Sequence, residues 1–333
     1  MSLDVGLPVG CLAVTQGSSG TAVLAAGLSK FAGRYWTGEI VIASASAGGD
    51  ELGALGKSSL RAGVAGLAWL PTDVGTGSRF LVSGSDDGRL DLWDFAAAED
   101  AALANLHSIV AHDDIITDVA SSPAAAAASV ASCSRDCSVR TWACTAADIQ
   151  CVEALTGHAE AVHCVAWGTE PAVLLSGSRD ATARAWDTRT GACSALLDVG
   201  CAVHAAAAYP GSACQIAVGA AHGVVYVFDL RRPASALSQQ RLHADAVRRL
   251  AFSTRTGCAL ALASASDDGQ VLLSSTSQKL GICWEPRATL RPAGGAYVHG
   301  LTWSPVTDTD SQPLLFAGGW DGSITCTPVD LAS

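Results

Sequence analysis

No apolar run in this chain reaches the roughly 18 residues that a membrane-spanning helix needs. Its first residues, Met1-Ser-Leu-Asp-Val-Gly-Leu-Pro8, lack the basic start and unbroken apolar stretch of a secretory signal. Twelve cysteines are present, yet no two stand as C-x-x-C, and Cys133 and Cys137 are four apart. That spacing argues against a zinc site and against a disulfide framework. The expectation is a reduced, intracellular protein with small buried thiols, no metal and no cofactor. Bases are scarce, with 20 Lys and Arg against 31 Asp and Glu, a net charge of −11 and only three lysines (Lys30, Lys57, Lys279). A nucleic-acid surface needs a basic stripe, so direct nucleic-acid binding is not expected, nor is a membrane partner. An acidic surface does suit long-range steering of basic peptides. No phosphate loop, nucleophile elbow or metal cluster is present, which argues against an enzyme. No long segment has a period of 3.6, and Ala124–Ala128, after Pro123, reads as a turn or strand start.

What the chain has is repetition. Ser83-Gly-Ser-Asp-Asp-Gly-Arg-Leu-Asp-Leu-Trp-Asp94 returns as Ser132-Cys-Ser-Arg-Asp-Cys-Ser-Val-Arg-Thr-Trp142 and as Ser176-Gly-Ser-Arg-Asp-Ala-Thr-Ala-Arg-Ala-Trp-Asp187. Ser264-Ala-Ser-Asp-Asp-Gly-Gln-Val-Leu-Leu273 repeats the first ten positions and then loses the Trp-Asp. The turn aspartates Asp87, Asp136, Asp180 and Asp268 are separated by 49, 44 and 88 residues, the last being two units of 44. Degenerate copies at His222-Gly223 and Gly319-Trp-Asp-Gly322, and Trp36-Thr-Gly38 at the front, complete seven registers. An apolar segment ending in an aromatic precedes most copies, as in Val64–Trp69, Val162–Trp167, Val247–Phe252 and Val298–Trp303.

Short alternating strands separated by Gly, Ser and Asp turns, in seven copies, predict an all-β chain. A four-stranded twisted sheet cannot bury both faces alone, and radial stacking of such sheets solves that problem. The pattern resembles the WD-repeat family, which implies one seven-bladed β-propeller over 1–333. The expected division is a closing strand at 1–10, an atypical first blade at 11–60, and blades at 61–110, 111–156, 157–201, 202–242, 243–296 and 297–333. The last unit offers only three strands, so the segment around Leu3–Pro8 is expected to supply its outer strand and remove an exposed edge. By the same resemblance His112, Ser132, Asp136 and Trp142 form one buried hydrogen-bond network, and His158, Ser176, Asp180 and Trp186 a second. A buried aspartate is costly unless donors satisfy it, so each set is read as structural, not catalytic.

The first unit breaks the pattern. Gly33-Arg-Tyr-Trp-Thr-Gly38 stands where a Ser-x-Ser-x-Asp-Gly turn belongs, and a long insert, Ser275–Gly295, interrupts the sixth unit. With Ala62–Trp69, His112-Asp-Asp-Ile-Ile116, His158–Ala166, Trp186-Asp-Thr-Arg189 and Gly319–Gly322, this order resembles the methylosome protein 50 family of WD-repeat subunits. The resemblance implies a non-catalytic adaptor, cytoplasmic and nuclear, in a hetero-oligomer with a type II protein arginine methyltransferase. It would bind the enzyme's N-terminal TIM-barrel domain and help present Arg/Gly-rich tails, such as those of histones and Sm proteins, for symmetric dimethylation. Trp36, in a turn position, would be the partner anchor, flanked by Arg34 and Tyr35, since an exposed Trp on a rigid turn is a good hot spot. Asp113 and Asp114 are candidate contacts for substrate arginines, which carboxylates bind bidentately. A competing adaptor reading rests on Trp186-Asp-Thr-Arg189, which fits a W-D-x-R motif of substrate receptors in cullin-type ubiquitin ligases. A generic WD-repeat scaffold is the remaining alternative.

Overall fold

A computed structural model of the chain describes residues 1–17, 21–32, 35–71, 79–95, 103–123, 129–253, 261–277, 283–291, 296–305 and 312–330. For residues 35, 276–277 and 283–286 it describes the backbone alone. The stretch 124–128, expected as a turn or strand start, lies outside the described residues.

Twenty-eight strands, numbered β1–β28 in chain order, form seven antiparallel four-stranded sheets, with no helix among the described residues. The inner strands are β2 (Val9–Gln16), β6 (Val64–Trp69), β10 (Ile116–Ser121), β14 (Val162–Trp167), β18 (Val203–Ala208), β22 (Val247–Phe252) and β26 (Val298–Trp303). Each touches the next, and β26 touches β2, so the ring is closed. The chain is a seven-bladed β-propeller.

Burial explains the sequence of each strand. A second strand is covered on both faces by neighbouring blades, so β23 (Ala261–Ser266) and β27 (Leu314–Gly319) are buried throughout and read as unbroken small and apolar runs. An outer strand is half solvated, so β5 (Leu52–Leu60) alternates exposed and half-buried residues. The turn between second and third strands puts its last residue in the left-handed region. Gly88 has φ 77°, and a Cβ there would lie 2.5 Å from the His112 carbonyl oxygen. Cys137 and Ala181 occupy the same position at φ 67° and 68° without being glycine.

Closure uses the N-terminus. β1 (Ser2–Asp4) pairs with β28 (Ser323–Pro328) through Ser2↔Thr325, Leu3↔Ile324 and Asp4↔Ser323, giving the order β1-β28-β27-β26. The pairing lies at the leading end of the expected segment, because Gly6, at φ 72°, already turns the chain toward β2. The stretch 275–295 is not simply an insert. Its core, β25 (Cys283–Leu290), is the sixth blade's outer strand, running from Val271↔Leu290 to Ser277↔Cys283 against β24 (Val271–Ser277).

The first blade departs from the others at one hairpin. β3 (Ala22–Ala32) and β4 (Tyr35–Ala45) each have 11 residues, where the second strands of the other blades have six or seven. The pairs Ser29↔Gly38 to Ala32↔Tyr35 extend the hairpin at the end of the blade that elsewhere carries the network turns. Trp36 is therefore a strand residue opposite Phe31, not the turn residue that the repeat register predicts.

Candidate functional site

Three buried networks brace one face of the ring. In the third blade Trp142 Nε1 donates to Ser132 Oγ at 2.8 Å, and Ser132 Oγ lies 2.7 Å from His112 Nε2. His112 Nδ1 is 2.9 Å from Asp136 Oδ2. The indole can only donate, so the serine proton goes to Nε2 and the imidazole proton lies on Nδ1, pointing at the carboxylate. The fourth blade repeats this with Trp186, Ser176, His158 and Asp180 at 2.8, 2.7 and 2.8 Å. Burial lowers the pKa of both histidines despite the neighbouring carboxylate, which fits the neutral tautomer. Burial pushes Asp180 upward, but hydrogen bonds from Thr182, the Ala159 amide and His158 prevail and hold it at about 2.

A third network was not foreseen. His243 Nε2 lies 2.8 Å from Ser264 Oγ, and Nδ1 lies 3.0 Å from Asp268 Oδ2. Ser274 stands where the Trp would be, paired with Leu262 as Trp186 is with Leu174, and its buried Oγ has no hydrogen-bond partner among the described residues. The signal was available, since each network histidine lies four residues before the first residue of its inner strand. In the second blade that position is Leu60, so Ser83 keeps its Trp93 partner at 2.9 Å but has no imidazole.

The same face opens into a funnel of about 450 Å³ at the mouth of the central channel. The second residue of each inner strand borders it: Gly10, Thr117 and Ala65 leave space on one side, and His163, His204, Arg248 and His299 fill the other. Arg248 Nε donates to Asp267 Oδ2 at 2.7 Å, and its Nη1 lies 3.2 Å from His204 Nδ1, which must accept. His299 Nε2 meets the other Asp267 oxygen at 2.9 Å. Burial raises the Asp267 pKa, but hydrogen bonds from His299 and Arg248 outweigh it and bring it to about 2. Burial, reinforced by the Arg248 charge, lowers His163 to about 4 and His204 to about 3. Their rings lie 4.6 Å apart, uncharged at neutral pH. Deeper, Arg249 and Asp118 close the floor, with Nη1 3.0 Å from Oδ2.

Trp36 and Trp320 stand on the funnel wall, each 44 % exposed. Phe31 packs on Trp36 at 5.3 Å, and Tyr297 packs on Trp320 at 5.9 Å. Arg34 lies outside the described residues, and Tyr35 is described by its backbone alone. Asp113 and Asp114 are exposed in the loop entering the third blade, on the network face but outside the funnel lining. Asp113 donates its amide to Asp136 at 3.2 Å, and Asp114 Oδ1 accepts the Ile115 amide at 2.7 Å. On the opposite face, Arg189 grips Asp187 through Nε at 3.0 Å and Nη2 at 2.7 Å. Arg231 grips Asp229 in the same way, at 2.9 and 2.6 Å, one blade on. Among the described residues no three His, Cys, Asp or Glu side chains converge as a metal-binding group, and the described cysteines are unpaired. Burial raises Cys11 to about 12, so that thiol is inert.

The family described as WD domain, G-beta repeat matches residues 61–94, 104–143 and 149–187. The second and third matches start in one blade's outer strand and end in the third strand of the next, so sequence repeats straddle and tie neighbouring blades. The chain is 31 % identical over 119 residues to nuclear distribution protein nudF of Aspergillus niger, covering 35 % of this chain and 26 % of that protein. It is 33 % identical over 118 residues to protein transport protein SEC13 of Chaetomium globosum, covering 35 % and 41 %. It is 32 % identical over 114 residues to E3 ubiquitin-protein ligase COP1 of Arabidopsis thaliana, covering 34 % and 16 %. The aligned stretch thus spans less than half of each of these relatives. The fold is thus a closed seven-bladed propeller in which three repeats match the WD domain, G-beta repeat family.

Proposed function

We propose that the protein is a non-catalytic adaptor of a methylosome-like complex. It would bind the N-terminal TIM-barrel domain of a type II protein arginine methyltransferase in a hetero-oligomer, in cytoplasm and nucleus, and help present Arg-rich tails such as those of histones and Sm proteins. The observation that carries this reading is Trp36. It stands on a hairpin longer than its counterparts, is 44 % exposed, and is held from behind by Phe31 at 5.3 Å. An indole fixed by its own strand pair loses little conformational freedom on docking, which is what an interface anchor requires. The groups of the funnel wall are held in fixed hydrogen bonds and ion pairs, which suits recognition better than turnover. The test is co-purification and methylation assay with the methyltransferase. The chain alone should be inert, addition should raise the enzyme's activity, and Trp36→Ala should abolish both binding and stimulation. Undiminished binding by Trp36→Ala overturns the reading.

A second reading has its own observation. Asp187–Arg189 and Asp229–Arg231 form the same bidentate pair on consecutive blades and on one face. That recurrence, with the likeness to a ubiquitin-protein ligase, supports a substrate receptor for a cullin-type ligase. Capture of the ligase linker protein, lost in an Arg189→Ala, Arg231→Ala double variant, would favour it.

A further inference from the structure

In each blade one third-strand residue lies directly opposite the second-strand position where the networks place serine. In the third to fifth blades it is Arg140 opposite Ser132, Arg184 opposite Ser176 and Tyr226 opposite Val218, whereas the first, sixth and seventh blades have Val41, Leu272 and Thr325 there. In these three blades a long or planar side chain fills the wedge toward the preceding blade. Arg184 Cζ lies 5.7 Å over the Trp186 ring, and Tyr226 stacks on Phe228 at 6.1 Å with 21° between planes. Arg140 Nη1 donates to the Ala111 carbonyl of the entering loop at 2.8 Å. The wedge is thus a place where a planar group, twice a guanidinium, is held against the third strand.

The second blade inverts this arrangement. Opposite Ser83 stands Asp91, shorter than arginine and opposite in charge. A cavity of about 610 Å³ opens there, bordered by Leu60, Asp87, Arg89, Trp93 and Asn105 as well as Asp91. Asp91 is only 8 % exposed. Its partners are neutral, Asn105 Nδ2 at 3.4 Å and the Ser108 hydroxyl, and burial holds its carboxyl above the ordinary range. Two cations border the cavity: Arg61 is exposed at its rim, and Arg89 is engaged elsewhere, donating Nη1 to Ser108 Oγ at 3.3 Å and setting Nε 3.7 Å from Asp87.

We propose that the wedge between the first and second blades is a receptor for an arginine side chain of a basic peptide. The ligand's guanidinium takes the place that Arg140 and Arg184 fill in the next two blades, against Asp91 and the ring of Trp93. A guanidinium suits the site better than an ammonium because it stacks on an indole and offers a fork to a carboxylate. The buried carboxylate disfavours an anionic ligand against the third strand. The site names a substrate-side contact on the propeller. Its use for Arg-rich tails rests on the adaptor reading, while its chemistry does not.

The test is calorimetric titration of the full chain with acetyl-Gly-Arg-Gly-amide and with its lysine and citrulline counterparts. The arginine peptide should bind, the lysine peptide more weakly, and the citrulline peptide, of the same shape but uncharged, not measurably. Asp91→Asn should weaken the arginine peptide by about tenfold, the loss of one charge-assisted contact. Asp91→Arg restores the residue of the sister blades, so it should abolish binding and raise the melting temperature. Arginine binding that survives Asp91→Arg, citrulline binding equal to arginine, or no binding to the natural chain each overturns the proposal. The assay contains no methyltransferase. Failure here therefore stays distinct from failure of the docking reading.

Discussion

Arg249, on the sixth blade's inner strand, reaches across the channel to Asp118 on the inner strand of the third, with Nη1 3.0 Å from Oδ2. The pair also ties in two further blades, because Arg249 Nε donates to the His299 carbonyl at 3.1 Å and Asp118 Oδ2 accepts the Val165 amide at 3.2 Å. Burial raises the Asp118 pKa although Arg249 opposes the rise. Removing the guanidinium leaves a carboxylate in the channel with the Val165 and Val119 amides to compensate it. Arg249→Met should cost about 3 kcal/mol in urea unfolding, and the double variant with Asp118→Leu should recover most of that loss. Asp118 would then carry a pKa raised further above its unfolded value, so the single variant should lose stability as pH rises through the folded pKa. A double variant no better than the single one would show that the pair does not act as a unit.

The networks set a pH dependence of opposite sign. His112, His158 and His243 all have pKa values lowered by burial from an ordinary 6.5. Below 6.5 the unfolded chain binds protons that the folded chain refuses, so stability is full above 6.5 and falls as pH drops toward the folded values. Asp180, held at about 2 against an ordinary 3.8, extends the loss from about pH 4 down to about pH 2. Urea midpoints should be flat above about pH 7 and decline steadily below it. His158→Gln should lower the midpoint at neutral pH and make the decline shallower. A midpoint that rises on acidification would contradict the neutral tautomers.

The turn motif made the ring legible, because Ser, Asp and Gly at fixed offsets encode local chemistry within one hairpin. The closing strand was legible too, since a unit with three strands leaves an edge that some other segment must cover. The His243–Ser264–Asp268 network was missed because Ser274 had replaced the Trp that flagged its two counterparts. Arg249–Asp118 could not be read at all, because it joins blades on opposite sides of the ring and has no local pattern. Trp36 was found by its misfit to the repeat. Its place on a strand followed only from the length of the hairpin. Asp91 has no local signal of its own, and only its register against Arg140 and Arg184 gives it meaning.

Ring closure depends on the shortest strand in the fold, the three residues Ser2–Asp4. Deleting residues 1–5 uncovers the outer edge of β28 and removes Leu3 and Val5, which pack on the cluster containing Phe316 and Ile324. An unpaired edge is a template for another chain. The truncated protein should melt earlier and self-associate in size-exclusion chromatography, while retaining most of its β signal in circular dichroism. A monomer with unchanged melting would show that six complete blades hold the seventh without the closing strand.

The last residue of the network turn offers a stability test that touches no functional group. Five of its seven-fold equivalents, Gly88, Gly223, Gly269 and Gly322 together with non-glycine Ala181, share φ values between 68° and 82°. A Cβ in that region strains against its own backbone, a cost that glycine avoids, while glycine gives back part of the gain through its freer unfolded chain. The strain is the larger quantity at an isolated left-handed residue. Ala181→Gly should therefore stabilise the protein by about 0.5–1 kcal/mol, and Cys137→Gly, at φ 67°, should do the same. Neither change alters the His158 or His112 network distances, so the pH profile should move upward without changing shape. A loss of stability in both variants would mean that the Cβ atoms make packing contacts worth more than the backbone strain they impose.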